Sequence, residues 1–284
     1  MMDKFKKIFV KSNIGRFFIY VFLIFWALTT IAPLVWVLNN SFKDTDQIMD
    51  SPFGFAESLN WANYQKAVER VDIIRSYINS FIMSGSATIL VLLFGGMAAY
   101  ILGRFEFRFK KFFTTIVALG LLIPAFSTII PVYDLMIKLN LINTYPALIL
   151  PHVASNLIFA IFVLSSYMSS LPDSIEEAAI VDGANRFQIF TKIIIPMSRP
   201  ALATVAIFSF LWSYNDLFSA LILVSDRSVR PIVVLLNEVS SRYGVDYGLQ
   251  AAAVVLTIVP IFLVYLLLQD YIVKGLARQG SVKE

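Results

Sequence analysis

The sequence predicts an all-α, polytopic membrane protein: a single domain of 284 residues with six transmembrane helices and a cytoplasmic helix-turn-helix loop between the fourth and fifth. Three observations lead there. The chain is 58% hydrophobic and 15% charged, with a mean hydropathy of +0.75, whereas a soluble domain carries about 25% charged residues. Its apolar runs recur at the length of a bilayer crossing, about 20 residues. Finally, Lys and Arg are distributed unevenly among the connections, as the positive-inside rule describes for multi-pass chains.

The apolar runs fall near residues 16–38, 76–103, 111–136, 146–170, 200–224 and 249–273. The first, FFIYVFLIFWALTTIAPLVWVL, is too long and too aromatic for the apolar core of a signal peptide, and no small-residue cleavage site follows it. It is expected to remain as a span. Pro33, Pro124, Pro131 and Pro260 interrupt several runs, which is tolerated where neighbouring helices or water satisfy the freed carbonyls. That pattern predicts a packed bundle around a pathway. Gly95, Gly96, Ala98 and Ala99 in the second run form a small surface on which two helices can cross closely.

Orientation follows from the charges. Lys4, Lys6, Lys7, Lys11 and Arg16 cluster before the first span, Arg104, Arg108, Lys110 and Lys111 between the second and third, and Lys274, Arg278 and Lys283 in the tail. These segments are expected on the cytoplasmic side. The first connection instead sets Asp44, Asp46, Asp50, Glu57, Glu69 and Asp72 against Lys43, Lys66, Arg70 and Arg75, and the segment 225–248 is balanced, so both are expected outside. Both termini then lie in the cytoplasm of a cell membrane, together with the loop 173–196. The formal charge of +4 reflects this distribution rather than a nucleic-acid partner. With no cysteine in the chain, disulfides, thiolate metal sites and thiol nucleophiles are excluded.

The loop holds the most informative stretch, EEAAIVDGANRFQIFTKIIIP, residues 176–196. Asp173 as N-cap with Glu176 three residues on predicts a capping box that starts a helix. Gly183 supplies the left-handed residue that ends it. Phe187, Phe190, Ile193 and Ile194 then recur at helical spacing until Pro196, which is expected to halt the second helix. Ala178 and Ala179 are small enough for a close approach to a partner's backbone, and Glu177 can accept hydrogen bonds or pair with a cation. Pattern alone leaves two readings open, a docking piece for a partner protein and an amphipathic helix lying on the membrane surface.

Polar residues within the spans invite a second choice. Asp216 falls deep in the fifth run, where an ionisable group is costly unless it faces protein or water. Ser209, Trp212, Ser213, Asp216 and Ser219 recur at steps of three and four, which predicts one helical face. Together with Asn215 this face either lines a pathway or bonds to neighbouring helices. Asn79, Ser80, Ser84 and Asn156 pose the same question, with packing the simpler answer. His152 stands one turn before Asn156 with no second histidine or cysteine nearby, so a hydrogen bond rather than a metal is expected of it. No nucleotide loop, carboxylate pair or histidine-activated nucleophile is present. No enzymatic activity is expected of this chain.

The spacing Glu177-Ala178-Ala179, Gly183, Ile193 and Pro196, with Asp182 in the same loop, resembles the EAA loop of permease subunits in bacterial ATP-binding-cassette importers; Ile195 stands where that family usually has leucine. The stretches YINSFIMSGSATILVLLFGGMAAYILGRFEF (77–107), IPVYDLMIKLNLINTYPALIL (130–150) and LWSYNDLFSALIL (211–223) are similar to the carbohydrate-uptake branch, in particular to the maltose permease G subunit. The resemblance implies that the loop couples the spans to a separate ATPase subunit. It further implies a pore shared with a second homologous permease, two ATPase subunits and an extracellular solute-binding protein, with no cofactor in this chain because ATP and Mg are bound by the ATPase. A non-sugar solute is the alternative within the superfamily. An ion-coupled secondary transporter fits poorly, since it should show internal repeats and several mid-membrane charges.

Overall fold

A computed structural model describes residues 13–70, 72–239 and 246–280, and every regular element among them is a helix. Lys4, Lys6, Lys7, Lys11, Lys283 and residues 240–245 of the last external segment lie outside the described residues. The chain divides into two units, Met1–Arg70 with Glu238–Ile258, and Val71–Asn237 with Val259–Glu284.

The first unit contains α1 (Asn13–Asn40), α2 (Thr45–Asp50), α3 (Ala62–Arg70) and the opening turns of the last helix, Tyr247–Gly280. Helix α1 runs through Pro33 without a break, contrary to the expected interruption. Its side chains from Phe17 to Val35, including Phe22 and Trp26, are exposed, the pattern of a helix whose cover is lipid or another chain. Below it the chain is knotted around Lys43, which is 1% exposed although its place in a polar connection predicts a solvated side chain. Its ammonium donates to the carbonyl of Ser51 at 3.0 Å and to that of Gly54. The Asn63 amide donates to the Ser41 and Lys43 carbonyls at 2.9 and 2.7 Å. A buried cation persists only when such partners replace its hydration. Gly248 completes the knot, since a Cβ there would stand 2.2 Å from the Lys43 carbonyl oxygen.

The second unit is built on α4 (Ile73–Arg104) and α7 (Tyr145–Ser169). Small residues let them approach: a Cβ on Gly95 would lie 2.9 Å from the Ala160 Cβ, and one on Gly103 2.9 Å from the Ser165 carbonyl oxygen. Ala87, Val91, Ala99, Leu164 and Met168 close the same core without exposure. Gly96 faces Ile195 instead, 3.8 Å from where its Cβ would sit. A second core joins Met83, Met136, Leu148, Leu223, Val224 and Val234.

Among the described residues, Gly15–Asn40, Ile73–Arg104, Tyr145–Ser169 and Tyr247–Leu266 are long and apolar enough to cross a membrane unbroken. The other two runs are broken helices. The third divides into α5 (Lys110–Gly120) and α6 (Ile129–Lys138), joined through a 3-10 turn at Ala125–Thr128. Pro124 disfavours helical geometry at Ile123, and the Leu122 and Ile123 amides turn back to Leu119 and Gly120 at 3.0 and 3.2 Å. The fifth divides into α10 (Arg199–Tyr214) and α11 (Leu217–Leu223) at Asn215–Asp216. Asn and Asp compete for backbone partners in this way: the Asn215 amide donates to the Leu211 carbonyl at 2.9 Å, and the Asp216 carboxylate accepts the Ser219 N–H at 3.0 Å. Pro260 lies inside the last helix without ending it.

Candidate functional site

The loop between α7 and α10 is a helix-turn-helix, with one helix at Asp173–Val181 (α8) and the next over Arg186–Met197 (α9). Gly183 ends the first with φ of +83°. The Gly183 N–H donates to the Ile180 carbonyl at 3.0 Å and the Ala184 N–H to that of Ala179 at 2.9 Å, the pair of bonds that defines a Schellman turn. The capping box stands elsewhere than expected. Pro172 is the N-cap of α8 and makes no side-chain cap, whereas Asn185 and Gln188 form the reciprocal box that starts α9, each bond 2.9 Å.

Pro196 does not halt α9 either. The helix passes through a π-helical turn over Phe190–Ile194 and continues to Met197. The Ile195 N–H reaches back to the Phe190 carbonyl, a wider turn that lets the chain accommodate a proline without its N–H. The direction then changes by 76° at Ser198 as α10 begins. Ile194 is buried in the α4–α7 core, and Ile193 and Ile195 pack against it.

Burial divides the loop into two faces. Ala179 is 8% exposed and belongs to this chain's own core, so it is not free to meet a partner as its size suggests. Glu177, Ala178, Asp182 and Gly183 are exposed. So are two large apolar side chains that pattern reading did not single out as a surface, Val181 at 87% and Phe187 at 73%. An apolar pair at the tip of a charged turn marks an interaction surface more strongly than scattered apolar residues do.

Glu176 points inward and is held by α4. Its carboxylate accepts the Arg104 Nε–H at 2.5 Å, lies 3.8 Å from the Arg186 guanidinium and 3.5 Å from the Tyr100 hydroxyl. Arg104 in turn meets Asp173 at 2.7 Å and donates to the Leu171 carbonyl at 2.7 Å. Its side chain is 4% exposed, so a residue counted as a loop charge in the sequence is a buried fork. Charge patterning in a single sequence shows no signal for a pair 72 positions apart.

The polar residues of the fifth run have different surroundings. Ser209 and Ser213 are buried, with the Asn156 amide donating to the Ser213 hydroxyl at 3.3 Å. Trp212 is half-exposed and packs in a triad with Phe159 at 4.9 Å and Phe208 at 5.4 Å. Asp216 sits at the break between α10 and α11, 3.8 Å from His152 Nδ1; Asn215 beside it is exposed. Asn79 spends both amide protons on the carbonyls of Ser228 and Arg230, at 3.1 and 3.0 Å, and accepts the Tyr145 hydroxyl at 2.7 Å. With Ser80 accepting the Ile232 N–H at 2.8 Å, it pins the 228–232 segment. Among the described residues no group of His, Asp or Glu is arranged to hold a metal.

Residues 92–278 match the family described as binding-protein-dependent transport system inner membrane component. The diacetylchitobiose uptake system permease protein of Streptomyces coelicolor is 38% identical over 266 residues, 93% of this chain and 88% of that protein. The trehalose/maltose transport system permease protein of Thermococcus litoralis is 31% identical over 94% of this chain and 97% of its own. Among solved structures, a chain of a bacterial ABC transporter involved in the import of the acidic polysaccharide alginate is similar with a TM-score of 0.77 at 23% identity, over 92% of this chain and 98% of that one. That likeness is one of fold.

Proposed function

The chain belongs to the inner membrane components of binding-protein-dependent transport systems, a permease subunit and not an enzyme, and from that premise we propose that it forms half of a translocation pathway for a sugar or oligosaccharide. Its proposed partners are a second homologous permease, two ATPase subunits and an extracellular solute-binding protein, with both of its termini in the cytoplasm. The functions by which two relatives are named, diacetylchitobiose uptake and trehalose/maltose transport, support a carbohydrate cargo. Of the candidate residues in the fifth run, Trp212 and Asn215 are the exposed ones and are assigned to that cargo. Ser209, Ser213, Asn156 and Asn79 serve packing.

The observation that carries the coupling role is the exposed pair Val181 and Phe187 on either side of the Gly183 turn, flanked by Glu177 and Asp182. An apolar tip of this kind seats in a protein cleft, where burying one such side chain is worth about 1.5–3 kcal/mol. Val181→Glu therefore releases the ATPase from the purified complex while the permease still accumulates in the membrane, because that side chain touches nothing in its own chain's core. Retention of the ATPase subunit by affinity purification reads this out. Full retention by both Val181→Glu and Phe187→Glu would remove the loop from the joint and favour the membrane-surface reading.

A further inference from the structure

We propose that Arg104 is a positioning residue for coupling: with Glu176 it clamps the cytoplasmic end of α4 to the loop helix α8, so that movement imposed on the loop is delivered to α4 directly and not only through the chain connections to α7 and α10. The proposal rests on the reading of the loop as the joint with the ATPase.

One guanidinium joins three elements. Arg104 leaves the last turn of α4; its Nη1 donates to the Leu171 carbonyl at 2.7 Å and to the Met168 carbonyl at 3.4 Å, at the end of α7. Its Nε and Nη2 face Glu176 at 2.5 Å and Asp173 at 2.7 Å, both in the first turn of α8. The electrostatic arrangement is consistent throughout, since the cation lies at the carboxyl ends of two helices and the carboxylates at the amino end of a third. Arginine suits this role because its planar fork holds several acceptors in fixed directions, which lysine cannot do.

The clamp is reinforced on its other side. Arg186, at the start of α9, reaches Glu176 at 3.8 Å and lies over the Phe105 ring at 5.3 Å. Tyr100 contacts Phe105 and Phe190 with ring centroids 5.2 and 5.1 Å apart. Buried ion pairs are poor sources of stability compared with apolar packing, and their best-attested use is to specify one arrangement of the elements they join. Here the arrangement specified is that of the loop on α4. Because α4 and α7 are already packed through Gly95 and Gly103, the loop, α4 and α7 are expected to move as one body.

The test uses the complete importer, reconstituted in proteoliposomes, with solute transported and ATP hydrolysed measured per assembled complex. Loss of a charge-assisted hydrogen bond of this kind shifts an equilibrium roughly tenfold, so Glu176→Gln should lower solute transported per ATP by about that factor while the ATPase stays bound. A residue of purely structural importance would lower both rates together with the amount of complex and leave their ratio unchanged, and that result overturns the proposal. Arg104→Lys should show the same uncoupling. Normal ATPase retention by Val181→Glu and Phe187→Glu indicts the joint itself, whereas loss of retention there with a normal ratio in Glu176→Gln indicts only the clamp. A measurement independent of these variants uses the absence of native cysteine: spin labels on cysteines at the exposed positions Glu106 and Asp182 should keep their separation, to within about 2 Å, between the nucleotide-free and nucleotide-trapped complexes. A larger change overturns the proposal.

Discussion

At the scale of the residue, Gly183 shows how local chemistry is legible in a sequence. Its φ of +83° is required by the Schellman turn, and a Cβ added there would meet no atom within 4 Å. Substitution is therefore opposed by backbone conformation rather than by crowding. The left-handed region costs an ordinary residue about 1–2 kcal/mol, less for Asn, and more for a β-branched side chain. Gly183→Asn is expected to keep substrate-stimulated ATP hydrolysis near the native rate, and Gly183→Val to lower it severalfold with membrane abundance largely retained. Equal, undiminished stimulation in both would contradict the turn's role. Arg104, Lys43 and Glu176 were not legible in the same way. Each is charged and lies next to a polar connection, so composition assigns it to water, and its partners are fixed only when distant carbonyls and carboxylates come together. Ala179 taught the same lesson in reverse: a small residue in a surface loop faces its own core.

At the scale of the element, four of the six apolar runs correspond to unbroken helices of membrane length among the described residues, and the other two are interrupted. Pro33 and Pro260 sit in unbroken helices, whereas Pro124 accompanies a true break, because a proline ends a helix only where its neighbours also offer the backbone another set of partners. The break at Asn215–Asp216 needed no proline at all. A single face drawn through Ser209, Trp212, Ser213 and Asp216 assumed a continuous helix; the break takes Asp216 off it as a cap, while Ser209 and Ser213 stay within α10 and are buried there. The placement of these elements relative to the bilayer has a direct test. Cysteines introduced at Lys110, where α5 begins, and at Asp50, where α2 ends, should be labelled by impermeant reagents from the cytoplasmic and external sides respectively. Labelling in the reverse sense would overturn the proposed orientation.

At the scale of the whole molecule, the sequence carried the class, the family resemblance and the loop, because membrane residence is written in composition and the loop motif is written in local spacing. The cargo is not written that way: in the proposed assembly selectivity is shared with subunits outside this chain, and Trp212 and Asn215 are the residues proposed to meet a sugar. This chain is proposed to be the membrane subunit of a carbohydrate importer. Uptake of labelled di- and oligosaccharides by cells lacking the gene, with and without the gene restored on a plasmid, measures that directly. Uptake of at least one such sugar should be lost on deletion, regained with the native chain and not regained with Val181→Glu. Unchanged uptake of every sugar in the deletion strain, with loss of uptake of an amino acid, peptide or phosphate, would contradict it.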